Sequence, residues 1–378
     1  MQHVQNSLSR RGFLTNAGAG VLGAAAAWGG AIDLLAGNAA LGQKKETAWQ
    51  KVSDRKIRIG VVGGGFGAAF PWRQHPNCVV EAVSDLQPAR RDGLMKTSQC
   101  QKSYESLEQL VLDDKIEAVA VFTDAPSHGR HCVEVMKHGK HCISAVPAAF
   151  TLEDCQKLKE TKEQTGLKYM MAETSYFHRD VIRTRNLAKQ GCQVVYSEGQ
   201  YYHDGVTAYG SWKKWRYALP PMFYPTHATA YYVGVTGKRL TKATCLGWRG
   251  RGEEWEKNRY NNPFVNESAM FRTSENTMFR CNVFWKCDVG GEYGMLVWET
   301  QPKAQAADSV PLPPGMDFGG HGGSHGPLVN EFLTALLENR EPAVNVYEAL
   351  AMTAPGIVAH QSALKDGDLL EIPSFDKK

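Results

Sequence analysis

One stretch near residue 60 limits the folds open to this chain more than any other. "KIRIGVVG" is an apolar run of strand type that ends in glycines, and "GGFGAAF" follows it directly. Gly63, Gly65 and Ala68 fit the pattern G-x-G-x-x-[GA], in which glycines permit a tight turn and a close approach of the backbone to a ligand. The pattern predicts a strand, a turn and the start of a helix.

The residues that follow repeat this alternation of strand and helix. Helical spacing appears in "YESLEQLVLDD", in "SHGRHCVEVMKHG" with Ser127 as its expected cap, and in "TLEDCQKLKETKEQTG". Apolar runs of strand type lie between them: "VVEAVSD", "IEAVAVFT", "HCISAVP" and "KYMMAE". This order is typical of parallel strands joined by right-handed crossovers. We therefore predict a Rossmann domain, an α/β doubly wound parallel sheet, over residues 44–175.

After about residue 175 the pattern changes to longer runs rich in β-branched and aromatic residues. They favour a large, open, mainly antiparallel sheet within a second α/β domain over residues 176–378. "PLVNEFLTALLEN" and "VYEALAMTAPGIVAHQSALKDG" are predicted closing helices, and the Pro/Gly-rich stretch before them is of the kind that lines a site. We expect a homo-oligomer formed through the open sheet. The predicted strands are "QVVYSEGQYYHD", "RLTKATCLGW", "TMFRCNVFWKC" and "GEYGMLVWET".

The N-terminus is similar to a twin-arginine export signal. Arg10 and Arg11 precede a weakly apolar run rich in alanine and glycine. The pattern predicts a signal peptide over residues 1–43 and a periplasmic or otherwise exported protein. An uncleaved anchor or a buried helix is the alternative. No later stretch is long and apolar enough to predict a membrane span once the signal is removed.

Charge and cysteine content exclude other classes. The formal net charge is +4, and no basic block is suited to a phosphate backbone, so we expect no nucleic-acid partner. Nine cysteines without a CxxC pair do not predict a disulfide framework. We also predict no metal site, because no carboxylate or cysteine near the histidines has fitting spacing.

The glycine turn and an acid further along predict a dinucleotide site. Asp85 lies about twenty residues after the turn, at the end of the second predicted strand, where a carboxylate can bind a ribose 2′-hydroxyl. This favours NAD, while Arg90 and Arg91 leave NADP open. A purely structural glycine turn is the alternative. The turn residues predicted to contact the cofactor are Gly63, Gly65, Phe66, Gly67 and Ala68.

From about Lys56 onward the chain resembles the Gfo/Idh/MocA family of oxidoreductases. "FTDAPSHGRHCVEVMKHGKHCISAVP" carries the resemblance together with the sheet pattern. It implies a Rossmann domain beside an open-sheet domain that holds a sugar-like substrate. It also implies that the T-x-x-P-x-H turn, here Thr123, Pro126 and His128, lies close to the nicotinamide.

The chain departs from that family at two places. The usual Glu-Lys-Pro is Ala145, Val146 and Pro147 here, so Pro147 is the member of the tripeptide that carries over to the cofactor site. The His-x-x-Asp pair of many members is His227 followed by Ala230. The lysine and the aspartate usual in the dehydrogenases are therefore absent.

A narrower resemblance is to the exported, NAD-dependent branch classed as glycoside hydrolase family 109. "SWKKWRYALPPMFYPTHATA", "TLEDC", "YMMAE" and "GGHGG" carry it, and that branch also has valine before the proline. The tyrosine and histidine of its Tyr-Pro-Thr-His motif match Tyr224 and His227. The glutamate that lies two residues before the proline in that branch is Ala145 here. The tyrosine that follows its "MMxE" strand aligns with Phe177, although Tyr176 is adjacent.

His227 is the predicted catalytic base. Removing a hydride from a sugar carbon requires a base for the hydroxyl proton, and an unperturbed imidazole titrates near neutrality. Tyr224, three residues earlier, is expected on the same face as His227 and is predicted to orient the hydroxyl. A purely structural role for His227 is the alternative. The predicted substrate contacts are Tyr176, Tyr202, His203, Trp215, His321 and His325.

Export and cofactor use constrain each other, because no pool of free nicotinamide cofactor is expected outside the cytosol. We therefore predict an NAD(P)-dependent oxidoreductase that acts on a sugar or sugar derivative with tightly bound, internally recycled cofactor. One alternative is an NAD-dependent glycosidase that works by transient oxidation and elimination. A second is a non-catalytic sugar-binding protein with a structural cofactor.

Overall fold

The structure, a computed structural model, describes residues 48–203, 215–288, 290–300 and 305–377. The predicted signal peptide at 1–43 therefore lies outside the described residues. None of the helices in the described part is both long and apolar enough to cross a membrane. Seven of the nine cysteines are buried.

The first half of the chain forms a six-stranded sheet in which every neighbouring pair is parallel. Its order is β3-β2-β1-β4-β5-β6, which confirms the predicted doubly wound Rossmann sheet. All four residues of β4 are buried, as expected for a central strand covered on both faces. The order reverses between β1 and β4, so a crevice opens at the carboxyl ends of these strands. The strands are β1 (Ile57–Val62), β2 (Cys78–Ser84), β3 (Ser103–Tyr104), β4 (Ala118–Val121), β5 (His141–Ser144) and β6 (Tyr169–Met171).

Six longer helices and several single turns cover the sheets. The longer helices are α1 (Pro88–Ser98), α2 (His128–Lys137), α3 (Leu152–Thr165), α4 (Arg179–Ala188), α5 (His325–Leu337) and α6 (Val346–Ala363). Single α-helical turns span Leu107–Leu110, Thr226–Thr229, Val233–Thr236, Glu253–Glu256 and Gly320–Gly323. Turns of 3₁₀ type span Phe66–Ala69, Trp72–Gln74, Ala125–Ser127, Ser175–Phe177 and Pro221–Phe223.

Two local predictions in this half are wrong. The glycine turn opens a four-residue 3₁₀ turn rather than a helix, because the chain is extended again at Phe70 and Pro71 follows. A ligand there would meet loop amides and not the dipole of a full helix. Ser127 occupies the N-cap position of α2, but its hydroxyl donates to Asp124 Oδ2 at 3.1 Å and caps no backbone amide.

The second sheet is large and mainly antiparallel, as predicted. Its order is β11-β7-β10-β9-β8-β12, and within it the pair β7 and β10 is parallel. Four of its strands match the predicted runs, whereas β9 and β12 were not predicted. The strands are β7 (Val194–Tyr202), β8 (Leu240–Arg249), β9 (Phe264–Thr273), β10 (Met278–Phe284), β11 (Gly291–Trp298) and β12 (Leu370–Glu371).

Helix α6 and the residues before it connect the two sheets. The Met171 amide donates to Val344 O at 2.9 Å, and the Ala148 amide donates to Thr353 Oγ1 at 3.3 Å. On its other side α6 lies directly against the turn that precedes His227. A Cβ atom at Gly356 would come within 2.1 Å of Met222 O, so glycine is required for this approach. The helix thus fixes the position of that turn relative to the Rossmann sheet.

Candidate functional site

Two cavities meet at the carboxyl edge of the Rossmann sheet. A groove of about 320 Å³ runs from Asp85 past the glycine turn. A second cavity of about 450 Å³ lies between this edge and the second sheet, and we call it the histidine cavity because five histidines line it. They are His128, His178, His203, His227 and His321. The groove and the cavity share four wall residues: Phe66, Phe122, Thr123 and Trp215.

Two glycines of the turn are needed for different reasons. Gly63 has φ +102°, and a Cβ atom there would lie 2.1 Å from Phe122 O, so the fold itself requires glycine. At Gly65 a Cβ atom would meet nothing closer than the Arg90 guanidinium at 3.8 Å, so its space opens onto the groove. The packing of the fold does not require glycine at this position. The open space that a side chain would fill therefore fits the pyrophosphate of a dinucleotide.

Asp85 closes the other end of the groove. Its Oδ2 accepts from the Gly64 amide at 2.7 Å and its Oδ1 from the Gln87 amide at 2.8 Å. Each carboxylate oxygen keeps a second lone pair that can accept a ribose hydroxyl. Arg90 also lines the groove, while Arg91 donates to Asp85 O at 3.1 Å. Asp85 therefore both orders the glycine turn and faces the position of a ribose.

The T-x-x-P-x-H turn lies at the junction of the groove and the cavity. Ring nitrogens of His128 lie 2.9 Å from Pro147 O and 3.1 Å from Thr123 O, and the ring is buried. His128 therefore connects the chain after β4 to the chain after β5. Pro126 lies in the 3₁₀ turn between Thr123 and His128. The turn thus lies where the groove and the histidine cavity meet, and Thr123 and His128 line the cavity.

A chain of hydrogen bonds orients the Thr123 hydroxyl. Arg130 donates to His131 Nε2 at 2.8 Å, so the ring proton lies on Nδ1, 2.8 Å from Thr123 Oγ1. Burial, with a smaller effect of the Arg130 charge, lowers the pKa of His131 to about 4, which keeps the ring neutral. The Thr123 hydroxyl then has its proton available for a ligand. Sequence patterns predicted Thr123 but neither Arg130 nor His131.

His227 is buried at the floor of the histidine cavity and is paired with acids. Its Nδ1 lies 2.7 Å from Glu173 Oε1 and 3.7 Å from Glu292 Oε1. Burial by itself would lower the pKa of His227, but the charges of Glu173 and Glu292 reverse this effect and raise the pKa to about 9. His227 is therefore an imidazolium near neutral pH. The prediction of a base with an unperturbed pKa is wrong on this point, because sequence did not reveal the two carboxylates.

Glu173 is the buried partner. It follows β6 in "YMMAE", its side chain is fully buried, and its Oε1 also accepts from the Ser175 amide at 2.9 Å. Burial would raise the pKa of Glu173, but the neighbouring His227 charge lowers it. The pair is therefore ionised, and Glu173 fixes the orientation of the imidazolium.

Aromatic rings surround His227. Tyr224 is buried, its ring centroid lies 5.5 Å from that of His227, and burial raises the pKa of its hydroxyl. Arg216 lies 3.4 Å from Tyr224 Oη and stacks over Trp215 at 4.4 Å. Trp215 is thus at the junction of both cavities, consistent with the prediction that it contacts substrate.

Tyr201 and Tyr202 both line the histidine cavity, although their rings lie on opposite faces of the sheet. The ring of Tyr201 points inward, 4.7 Å from His227 between centroids, whereas the Tyr202 ring stacks on Phe284 at 4.9 Å on the outer face of the sheet. Successive side chains of a strand point to opposite faces, so one of the two tyrosines must turn away. His203 lines the cavity as predicted.

Tyr176 lies away from the cavity. Its ring packs under the Arg185 guanidinium at 3.8 Å and against Gly234. Phe177, at the aligned position, is buried. Neither residue supplies a hydroxyl to the site, so this prediction is wrong for Tyr176.

His321 and His325 form a second ordered pair. Buried His325 donates from Nδ1 to Ala69 O at 3.1 Å, and its Nε2 lies 3.1 Å from His321 Nδ1. Burial lowers the pKa of His325 to about 4, so Nε2 of its neutral ring accepts a hydrogen bond from His321 Nδ1–H, and His321 Nε2 carries a lone pair. His321 itself has φ 48° and ψ 62°, a strained conformation between glycines that directs the ring to the cavity wall. His325 is thus a supporting residue and His321 the one that a substrate can reach.

Among the described residues, no group of three or more His, Cys, Asp or Glu side chains is arranged to hold a metal ion. The histidine cavity is instead an array of hydrogen-bonding groups. An imidazolium, a neutral imidazole, a carboxylate and tyrosine hydroxyls face one space next to a dinucleotide groove. Such an array can move protons on a polyhydroxylated molecule while a hydride is exchanged.

Known proteins resemble this chain in both halves. Residues 57–173 match an oxidoreductase family, Gfo/Idh/MocA, with an NAD-binding Rossmann fold. Glycosyl hydrolase family 109 protein 1 of Bacteroides thetaiotaomicron is 31% identical over 175 residues, 42% of this chain and 38% of its own length. A family 109 protein of Shewanella pealeana is 28% identical over 218 residues, 50% of this chain and 47% of its own length. The chain therefore matches less than half the length of these curated relatives.

The fold of most of the chain is also known. Levoglucosan dehydrogenase, solved with NADH and levoglucosan, superposes with a TM-score of 0.69 at 13% identity, covering 85% of this chain and 100% of that one. A likeness at this identity concerns the fold. The fold and the groove fit a dinucleotide-binding protein. The matches show similarity to the Gfo/Idh/MocA family over residues 57–173 and to glycosyl hydrolase family 109 over part of the chain.

Proposed function

We propose that this protein is an NAD(H)-dependent oxidoreductase that acts on a sugar or sugar derivative. The observation that carries the proposal is the junction of the two cavities. Thr123, Phe66 and Trp215 line both the dinucleotide groove and the histidine cavity, so a substrate carbon and a nicotinamide can meet there. The polar, aromatic-rich wall suits a molecule with many hydroxyl groups.

The residues have distinct tasks in this proposal. NAD, when bound, supplies the hydride acceptor. Gly63, Gly65 and Asp85 hold it, and the Thr123 hydroxyl is available at its reactive end. His227 exchanges a proton with the substrate oxygen: as an imidazolium it gives a proton to a ketone, and as a neutral imidazole it takes one from a hydroxyl. Buried Glu173 keeps the ring in place for both directions.

The second candidate is a glycosidase in which oxidation is transient. The family 109 relatives are named as glycosyl hydrolases, and the Tyr-Pro-Thr-His segment on which this chain resembles that branch includes Tyr224 and His227. Oxidation of a ring carbon acidifies the neighbouring C–H bond, and elimination can then release the leaving group. Release of the aglycone without net NADH would distinguish this function from the first.

We further propose that the protein is exported by the twin-arginine route with its cofactor tightly bound. "SRRGFL" near the N-terminus supports export, and tight retention would allow turnover where free NAD is scarce. Reduction of the same or a second sugar would return the hydride. Cell fractionation and the cofactor content of the purified protein test these two points.

The outer face of the second sheet supports self-association. Six large apolar side chains on this face are each more than 40% exposed, and exposed apolar surface can mark a protein–protein contact. They are Leu246, Trp248, Met278, Tyr293, Met295 and Val297. We propose that two copies pack through these faces, and sedimentation of the full chain tests it.

One experiment tests the main proposal. The purified protein is analysed for retained dinucleotide, loaded with NAD, and mixed with levoglucosan, scyllo-inositol and a series of methyl and nitrophenyl glycosides. A rise at the reduced-nicotinamide absorbance band on adding one of them supports the oxidoreductase. Sugar binding without any change at that band would instead indicate a binding protein, and failure to bind dinucleotide would refute both enzymatic functions.

A further inference from the structure

A carboxylate that sequence patterns did not single out faces the histidine cavity. Glu292 lies at the start of β11, on the inward face opposite Tyr201 in the register. Its side chain is 14% exposed, whereas Glu173, on the far side of His227, is fully buried. Glu292 is therefore the carboxylate of this cluster that a substrate can touch.

The two oxygens of Glu292 have different surroundings. Oε2 accepts from Ser175 Oγ at 2.5 Å and lies 3.6 Å from His178 Nε2. Oε1 is 3.7 Å from His227 Nδ1, and it accepts no hydrogen bond from the described part of the chain. One oxygen is thus anchored and the other is open at the cavity wall. Glu173 already binds His227 at 2.7 Å, so a second carboxylate is not needed to orient that ring.

The opposite edge of the cavity lacks such a group. Ala145 lines the cavity where the resembling families carry a glutamate, and the tyrosine of the family 109 branch is replaced by buried Phe177. Tyr176 is directed away under Arg185. Among the described residues that line the cavity, Glu292 of β11 is the one with a carboxylate.

We propose that Glu292 is the base that removes a proton from the substrate carbon next to the one that is oxidised. This inference rests on the proposed function, because the C–H bond becomes acidic once its neighbour is a ketone. The proton passes to Oε1 of Glu292, and the electron pair of the C–H bond forms an enolate. The negative oxygen of the enolate then faces the imidazolium of His227, which stabilises it.

The enolate has two balanced outcomes. It takes a proton back from Glu292, which exchanges the C–H hydrogen with solvent. Alternatively, where the next carbon carries a glycosidic oxygen, the electron pair breaks that C–O bond and the leaving oxygen takes a proton from water. The hydroxide formed in this way adds to the resulting enone, and Glu292 returns its proton to the neighbouring carbon. Return of the hydride would then complete a hydrolysis without net oxidation. His321, with its lone pair on the same wall, is the competing base.

Hydrogen exchange measured separately from hydride transfer tests the proposal. The NAD-loaded protein is incubated in deuterated water with levoglucosan and with methyl and nitrophenyl glycosides. NMR follows deuterium incorporation at ring C–H positions, and absorbance follows reduced nicotinamide. In Glu292→Gln we expect exchange to fall by about 100-fold or more, while the first hydride transfer changes by less than about 10-fold. Glu292→Asp should recover part of the exchange.

Two matched variants complete the test. Glu198→Gln changes a carboxylate on the outer face of the neighbouring strand β7, and we expect both rates to stay unchanged. Circular dichroism and NADH fluorescence confirm that each variant folds and binds cofactor. Exchange that survives in Glu292→Gln, or that is lost in His321→Gln instead, overturns the role of Glu292. The role is also overturned if both rates fall together, or if wild-type protein transfers hydride without exchange. Absence of hydride transfer from every probe to wild-type protein would count against the proposed function itself.

Discussion

The dinucleotide groove and the histidine cavity are built in different ways. The groove is lined mainly by residues between 62 and 131, from the glycine turn, the end of β2 and the turn after β4. The histidine cavity is lined by residues far apart in the sequence: the segments after β5 and β6, the end of β7, the start of β11, the turn before His227 and the glycine-rich loop before α5. The signals for the groove are therefore mostly local in the sequence, whereas those for the cavity are not.

The two regions also give different charge states to the same residue type. His131, beside the groove, is buried next to an arginine, and its pKa is lowered to about 4. His227, in the cavity, is buried between two carboxylates, and its pKa is raised to about 9. Burial opposes the charged form in both cases; it prevails at His131, whereas at His227 the two carboxylate charges outweigh it. Protonation at this site is therefore a property of tertiary contacts.

The largest effect is expected from a substitution that distorts the dinucleotide groove. Gly63→Ala places a Cβ atom 2.1 Å from Phe122 O at a backbone φ of +102°, so the turn must shift. We expect loss of saturable NADH binding in a fluorescence titration, together with a lower melting temperature. Gly65→Ala is the matched variant: its Cβ points into open space, so it should weaken NADH binding by at least about 10-fold with little change in stability. Equal effects of the two variants would contradict the assignment of Gly65 to the ligand.

The second largest effect is expected from a substitution in the histidine cavity that leaves the groove unchanged. His227→Asn removes the group that exchanges a proton with the substrate oxygen, and we expect turnover to fall by about 100- to 10,000-fold. NADH affinity should stay within a few-fold of wild type, because His227 does not line the groove. Turnover that is unchanged would remove His227 from the mechanism.

A third prediction concerns the charge of His227. The oxidation direction needs the neutral ring, so kcat/KM for oxidation should rise as pH increases through about 9, and reduction should fall over the same interval. Glu173→Gln removes the nearest stabilising charge and lowers the pKa of His227. The rise should therefore move to lower pH in this variant, as measured by pH profiles of both directions. A profile that does not move would show that Glu173 is not responsible for the raised pKa.

The smallest effects test local rules beside the groove. The Thr151 hydroxyl accepts from the Asp154 amide at 3.0 Å and caps α3, so Thr151→Ala should cost about 1 kcal/mol in the free energy of unfolding. Ser127→Ala should cost less than about 0.5 kcal/mol, because Ser127 caps no amide of α2. Denaturant titrations of the two variants measure the difference. A larger cost for Ser127→Ala would favour the cap expected from sequence.

Sequence by itself determined the elements whose signals are local. The apolar strand before Gly63, the acid at the end of β2 and the alternation of strands with helices each depend on neighbours along the chain. Backbone geometry is set over a few residues, and so the Rossmann sheet and most of the second sheet were predictable. Tyr224, His227 and His321 were found because motifs mark them. The 3₁₀ turn after Gly65 was missed because the break at Phe70 and Pro71 outweighs the pattern.

Tertiary structure decided the chemistry of the cavity. Glu173 and Glu292 come from strands more than 100 residues apart, yet both charge His227, and no spacing in the sequence relates them. The alternation of side chains along β7 places the Tyr201 ring on the inner face of the sheet and the Tyr202 ring on the outer face. Packing against Arg185 keeps the Tyr176 ring away from the cavity. The physical reason is that Coulomb interactions and desolvation depend on distance through space, which the order of residues along the chain does not give.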